Sequence, residues 1–324
     1  MVRKIMWTLV FLVVVAAVLY IVGPRTPVDT TITIDRAAIA ADPEGYVARE
    51  EANVTGITEG TQKQIIWAFP RSKAKTPLAI VYVHGYSATL QETRPLPDIV
   101  ARELGANLFF TRLTGHGQNG EALARATVND WLNDMAEALA VGKAIGEKVV
   151  VIATSTGGSL ATWAAGQPDL AREMNALVLI SPNYRLKAAG SFLLDQPWGQ
   201  QLADLIVGPE RSFEPANAEH AKYWTTRYPT RALMPMAAAV RLADGVFPET
   251  VKTPALFLYA PGDPVVDEAV TAQKAAKWGG PHAVVEVADS PNASQHVIAG
   301  DILSPERTEG LAEKTVAWIR SLDL

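Results

Sequence analysis

The sequence predicts an α/β fold: a mostly parallel central sheet with helices on both faces, a helical insertion, and one apolar helix ahead of it. Three observations carry that prediction. Residues 78–83 and 149–152 are apolar runs rich in β-branched side chains without alternation, as strands buried on both faces are. Such runs alternate along the chain with amphipathic helical stretches, the order of βαβ units. One gap of about 70 residues, between Asn183 and Lys252, is too long and too rich in aromatic, Leu and Ala residues for a structureless crossover.

Taken in order, the chain opens with an almost unbroken apolar run over residues 5–22. At about 1.5 Å per helical residue, that run just spans a bilayer core. Trp7 and Tyr20 lie near its ends, where an aromatic belt would put them, and Arg3 and Lys4 precede it, with Arg25 on the far side. A secretory signal has a shorter apolar region, and no clean small-x-small cleavage site precedes Pro24. Residues 1–23 are therefore expected to be an uncleaved signal anchor. The remainder is then expected on the extracytoplasmic side of a membrane, the alternative being secretion after signal cleavage. Residues 24–61 form a juxtamembrane lead-in, in which residues 31–34 alternate like an edge strand and Asp42-Pro43 marks a turn or helix start.

From residue 62 the strand–helix rhythm is regular. Strands are expected at residues 64–69, 78–83, 107–113, 149–152, 176–181, 255–259 and 283–287. A helix covers about 97–104. Thr127 or Asn129 caps another that runs to about Ile145, and Ser304 with Pro305 opens a last one ending near Leu322. The insertion, about residues 185–252, is expected to be a helical cap over the carboxyl ends of the strands. Its apolar side chains, such as Phe192, Trp198, Leu205 and Trp224, either line a pocket or seat the cap on the main domain, which spans residues 62–324.

Composition narrows the chemistry. The 324 residues carry a net charge of −5 with a pI near 5.6, the wrong sign for a nucleic-acid footprint. The chain has no cysteine, which excludes disulfides, thiolate nucleophiles and zinc–thiolate sites but leaves the compartment open. No His/Asp/Glu group has metal-ligand spacing and no glycine loop forms a phosphate cradle, so neither metal nor cofactor is expected.

The candidate chemistry centres on Ser155. Ala153-Thr154-Ser155-Thr156-Gly157 follows a buried strand and leads into small, helix-compatible residues, the pattern of a G-x-S-x-G nucleophile elbow with alanine for the first glycine. The plain alternative is an N-capping serine in a strand-to-helix loop. Of five histidines, His296 follows the last strand in a loop before the final helix, at the same carboxyl edge as Ser155, and can serve as general base. Asp263 comes first after the strand at 255–259 and is the favoured orienting acid, whereas Asp267 suits a helix cap. Backbone donors for an oxyanion are expected from Thr156 N–H and, after the turn at Gly85, from Tyr86 N–H.

Five motifs then stand in a familiar order: Val83-His-Gly-Tyr-Ser-Ala88, Leu113-Thr-Gly-His-Gly117, the Ser155 elbow, Pro261-Gly-Asp-Pro-Val-Val266 and Gln295-His-Val-Ile298. Across residues 62–324 the chain resembles the α/β-hydrolases, and more narrowly their capped carboxylesterase and monoacylglycerol-lipase branch. The resemblance implies triad roles for Ser155, Asp263 and His296, oxyanion donation by Tyr86 and Thr156, and a structural role for the loop holding His116. Ala153 and Thr154 depart from the family pattern. The expected activity is hydrolysis of carboxylic esters, apolar or lipid-like acyl esters favoured, through an acyl-enzyme on Ser155. Thioester, amide, lactone and carbon–carbon substrates would use the same triad. Epoxide hydrolases and haloalkane dehalogenases carry aspartate where Ser155 stands. A catalytically silent binding or receptor module at the membrane is the alternative outside enzymes.

Overall fold

A computed structural model describes residues 1–287 and 294–324; residues 288–293, the first part of the loop expected to carry His296, lie outside them. The chain begins with α1 (Val2–Val22), an apolar helix with no buried residue. The lead-in holds α2 (Arg36–Ala41) and α3 (Pro43–Ala52), capped by the carboxylates of Asp35 and Asp42 on the amides of Ala38 and Gly45. Then follow β1 (Gln64–Ile66), β2 (Thr76–Val83), α4 (Leu96–Leu104), β3 (Asn107–Phe110), α5 (Gly120–Arg125) and α6 (Val128–Ile145). Next come β4 (Gly146–Thr154), α7 (Thr156–Ala165), α8 (Pro168–Ala171) and β5 (Ala176–Ile180). The insertion contributes α9 (Gly199–Ile206), β6 (Glu210–Ser212), α10 (Ala218–Tyr223), β7 (Arg227–Pro229) and α11 (Leu233–Asp244). The chain ends with β8 (Ala255–Tyr259), α12 (Glu268–Ala276), β9 (His282–Glu286) and α13 (Pro305–Ser321).

The main sheet has the order β1-β3-β2-β4-β5-β8-β9, with every neighbour pair parallel except β1 against β3. The central strand β4 explains why its sequence shows no alternation. Val149, Val151 and Ala153 pack with Trp131, Leu139 and Leu160 on the α6 and α7 face, while Val150 and Ile152 pack with Leu96, Val100 and Ile319 on the α4 and α13 face. Both faces are core, so apolar side chains are stabilising at each position. Helix α6 starts on a capping box: Thr127 Oγ1 accepts the Asp130 N–H at 3.1 Å and the Asp130 carboxylate accepts the Thr127 N–H at 2.8 Å.

Four expectations change. Residues 31–34 form no strand. Asn133 Oδ1 accepts the Thr33 N–H at 2.7 Å, and Asn129 and Asn133 donate to the Thr31 carbonyl, so side-chain amides on α6 take the place of ladder partners. The alternation in this stretch sets Ile32 and Ile34 against the core without a sheet neighbour. Strands β1 and β3 are shorter than expected because side-chain acceptors interrupt the ladder: Asn107 Oδ1 takes the Ala68 N–H and His84 Nε2 takes the Leu113 N–H. The Ser304 hydroxyl makes no cap bond to α13 and donates instead to the Val297 carbonyl at 2.6 Å.

The lead-in is integrated into the core. Ile39 and Val47 are buried in it, and the Glu51 carboxylate binds Arg112 through two hydrogen bonds of 2.7 and 3.0 Å. Within the insertion, α11 packs against α7 and α6, while Trp224, after α10, meets Ala88 and Val297. The insertion therefore touches the segments after both β2 and β9, at the carboxyl edge of the sheet.

Candidate active site

Ser155 is the single residue between β4 and α7, at φ 51° and ψ −116°. A non-glycine residue there costs on the order of 1–3 kcal/mol and persists only where its surroundings hold it. Here the Ser155 N–H donates to the Ile180 carbonyl at 2.9 Å, and its own carbonyl accepts from Asn183 at 3.0 Å and Ser159 at 3.2 Å. The turn is tight because α7 starts against the end of β2. A Cβ on Gly157 would lie 2.4 Å from the Val83 carbonyl oxygen and 2.6 Å from that of His84. Ala153 sits in the ladder between Val83 and Leu179 with its methyl in the core layer, so alanine is accommodated where the family pattern has glycine.

His296 Nε2 lies 3.0 Å from Ser155 Oγ, and its Nδ1 lies 2.7 Å from Asp263 Oδ2. With Nδ1–H donating to the carboxylate, Nε2 is left to accept the serine proton. Asp263 is fully buried, and its other oxygen accepts the N–H groups of Val265 at 2.7 Å and Val266 at 3.0 Å. Ser294 Oγ accepts the N–H groups of His296 and Val297, which sets the loop that presents the imidazole. Asp267 stands apart from this group. It caps α12 through the Ala269 N–H at 3.2 Å and faces Arg185.

Of the two expected oxyanion donors, Thr156 directly follows the serine, and Tyr86 follows Gly85, whose built Cβ would lie 3.1 Å from Ser155 Cβ. Among the described residues neither the Tyr86 nor the Thr156 N–H has a hydrogen-bond partner. The Tyr86 ring makes edge-on contacts with His116, Trp131 and Tyr228, the last from β7 of the insertion. The loop continues through Ser87, whose carbonyl accepts the Thr225 N–H at 2.8 Å.

Two buried residues beside this loop have no role assigned from the sequence: His84, which stands in the Val83–Ala88 motif, and Glu92, which stands in none. His84 Nδ1 donates to the Gly85 carbonyl at 2.9 Å while its Nε2 accepts the Leu113 N–H at 3.0 Å; burial pulls its pKa down to about 4, so the ring is neutral near pH 7. Glu92, fully buried, accepts the Gly85 N–H at 2.7 Å and the Tyr82 hydroxyl at 3.2 Å through Oε2. Burial pushes its pKa up to about 7, against the opposing pull of the Gly85 N–H, His296 and Tyr82. A Cβ built on Gly85 would lie 2.7 Å from Glu92 Oε1 and 3.1 Å from Ser155 Cβ, so the carboxyl and the serine border the same side of Gly85. The only trace of this in the sequence is an acid seven residues after Gly85, a spacing with no general meaning.

The other histidines lie off the serine. His116 packs among His84, Tyr86 and Trp131, His220 accepts the Ala216 N–H, and His282 contacts the Gly280 carbonyl.

Comparison with known proteins agrees with this architecture. The description "Alpha/beta hydrolase family" matches residues 80–301. A thermostable monoacylglycerol lipase from Bacillus sp. (strain H-257) is 32% identical over 95 residues, a stretch covering 29% of this chain and 38% of that relative. The chain thus spans well under half the length of that relative. A structure of the metagenome-derived lipolytic enzymes LipS and LipT superposes with a TM-score of 0.67 at 22% identity, covering 82% of this chain and 99% of the other. A monoacylglycerol lipase from Paleococcus ferrophilus superposes at 0.58 and 15% identity, covering 80% and 98% of the two chains. A soluble variant of monoglyceride lipase from Saccharomyces cerevisiae does so at 0.58 and 12%, covering 83% and 96%. These distant structures share the fold, and the family match spans more than half of the sequence: the chain belongs to the α/β-hydrolase family.

Proposed function

We propose that this lipase/esterase-like α/β-hydrolase cleaves carboxylic esters through an acyl-enzyme on Ser155. The observation that carries the proposal is the continuous path from Ser155 Oγ to His296 Nε2 at 3.0 Å and from His296 Nδ1 to Asp263 at 2.7 Å, beside two unengaged backbone amides. Ser155 Oγ attacks the ester carbonyl carbon as its proton passes to His296 Nε2. Asp263 holds the imidazole in the receiving tautomer and stabilises the imidazolium. The carbonyl oxygen takes up the negative charge and is bound by Tyr86 and Thr156 N–H. The bond to the alcohol oxygen then breaks, and His296 returns the proton to that oxygen. A water molecule, deprotonated by His296, attacks the acyl-enzyme and releases the acid and free Ser155.

An apolar or lipid-like acyl ester is the favoured substrate class, and the catalytic domain is read as held at a membrane on its extracytoplasmic side. The side follows from Arg3 and Lys4 ahead of the apolar run, and two observations support placing the cap at the membrane. The last turn of α1 meets the insertion, with Trp198 Nε1 donating to the Leu19 carbonyl at 2.9 Å and the Tyr20 hydroxyl 3.1 Å from Gln196. On either side of Gln196 and Trp198 in sequence the cap, about residues 185–252, exposes Phe192, Leu205 and Ile206 at 69%, 82% and 66%. Lipases among the similar proteins are in keeping with such a substrate.

Purified full-length protein, assayed on p-nitrophenyl esters of increasing acyl length with Ser155→Ala and His296→Ala alongside, tests the proposal. Turnover and fluorophosphonate labelling are expected in the parent and absent in the serine variant. Full activity in Ser155→Ala would disprove the mechanism. Folded protein with neither turnover nor labelling would mark a silent binding module.

A further inference from the structure

We infer that Glu92 is a positioning residue for the oxyanion-binding loop: its carboxyl holds the Gly85 N–H so that, with His84 on the Gly85 carbonyl, the next amide is aimed at the reacting oxygen. The inference rests on the proposed role of Ser155 and Tyr86.

The argument follows from peptide planarity. The Gly85 C=O and the Tyr86 N–H belong to one rigid unit and point to opposite sides of it. His84 Nδ1–H holds the carbonyl end at 2.9 Å, which turns the Tyr86 N–H the other way. That bond alone leaves the unit able to swing about the Gly85 dihedrals, the softest of any residue. Glu92 removes the freedom from the preceding side by taking the Gly85 N–H at 2.7 Å. The carboxyl is itself fixed, because Tyr82 donates to the same oxygen at 3.2 Å from within β2, and the Tyr82 hydroxyl also bonds Thr154 at 3.2 Å, next to Ser155. The Cβ-sized space of Gly85 is bounded by Glu92 Oε1 and Ser155 Cβ, so loop, carboxyl and nucleophile form one packed unit. A buried carboxyl is a costly way to satisfy one amide, which is intelligible if the exact pose of that amide's neighbour matters to the reaction.

The test uses the full chain and the variants Glu92→Gln, Glu92→Leu and Glu92→Asp, with thermal melting as the check of folding. Glutamine keeps a carbonyl oxygen within reach of the Gly85 N–H and is expected to retain kcat within about threefold. Leucine removes the acceptor, and aspartate withdraws it by one methylene. Both are expected to lower kcat by roughly 30-fold with KM within about threefold, somewhat less than outright removal of an oxyanion donor. The rate of fluorophosphonate labelling of Ser155 should fall in parallel, since that reaction also develops charge on an oxygen in the same hole. If leucine fails to fold, aspartate carries the measurement. Wild-type kcat in either folded variant would overturn the proposal, as would a loss confined to KM or a glutamine variant as slow as aspartate. An unlabelled parent protein would instead overturn the Ser155 reading, and this proposal with it.

Discussion

At the residue scale, the candidate site is a set of dihedrals and protons held in place by buried partners. Asp263 accepts two backbone amides with one oxygen and presents the other to His296. Asp263→Asn would reverse the donor at that contact and favour the wrong imidazole tautomer. A loss of kcat on the order of 10⁴-fold, with protein still folded, is the expected outcome in steady-state ester assays. Glu92 and His84 also make stability depend on pH, with opposite signs. Glu92 has a folded pKa raised to about 7, so the folded state binds the extra proton, and stability is lost as pH rises from about 4.5 to 7. His84 has a folded pKa lowered to about 4, so stability is lost as pH falls from about 6.5 towards 4. Glu92→Gln should therefore gain on the parent in melting temperature as pH is raised from 5 to 7.5. A difference that stays flat or shrinks across that range would show that the carboxyl does not titrate there. Ser155 and His296 could be picked out from motif and chain order. Glu92 could not, because its meaning is its distance from Gly85 and Ser155 in space.

At the scale of elements, the elbow depends on how closely α7 approaches β2. Gly157→Ala puts a methyl where two carbonyl oxygens stand at 2.4 and 2.6 Å, so α7 must shift and carry Thr156 N–H with it. Loss of most ester turnover is expected, together with a lowered melting temperature of at least several degrees; a variant active at wild-type rate would mean the turn is slack. The buried strands were legible because residues apolar on both sides of β4 leave no other environment for it. Residues 31–34 alternate without forming a strand because alternation reports which side chains face the core, not what pairs with the backbone. Here the partners are Asn129 and Asn133, about a hundred residues away on α6. The ends of β1 and β3 are not legible in the sequence for the same reason, since side-chain acceptors replace the ladder.

At the scale of the whole molecule, the apolar α1 meets the insertion at Trp198, the N-cap residue of α9, and the exposed Leu205 and Ile206 end that same helix. If the cap rests on the bilayer surface, Leu205→Asp combined with Ile206→Asp should lower turnover of esters held in lipid vesicles by about tenfold. Tenfold corresponds to about 1.4 kcal/mol. That is below the roughly 1.5–3 kcal/mol of fully burying one such side chain, because the two would be only partly immersed and α1 would still hold the protein at the bilayer. Turnover of a short soluble ester should be unchanged, and equal effects on both substrates would count against the membrane reading.

The sequence by itself determined the α/β order, the buried strands, the apolar run at residues 5–22 and the proposed nucleophile and base, Ser155 and His296, since these follow from local periodicity and from the order of motifs along the chain. Tertiary structure decided the rest: that Asp263 and not Asp267 meets His296, that the lead-in packs Ile39 and Val47 into the core, and that Glu92 lies against Gly85. Those are contacts between segments distant in sequence or turned by a loop. Their free energy comes from burial and from satisfying particular buried donors, neither of which leaves a periodic mark in the chain.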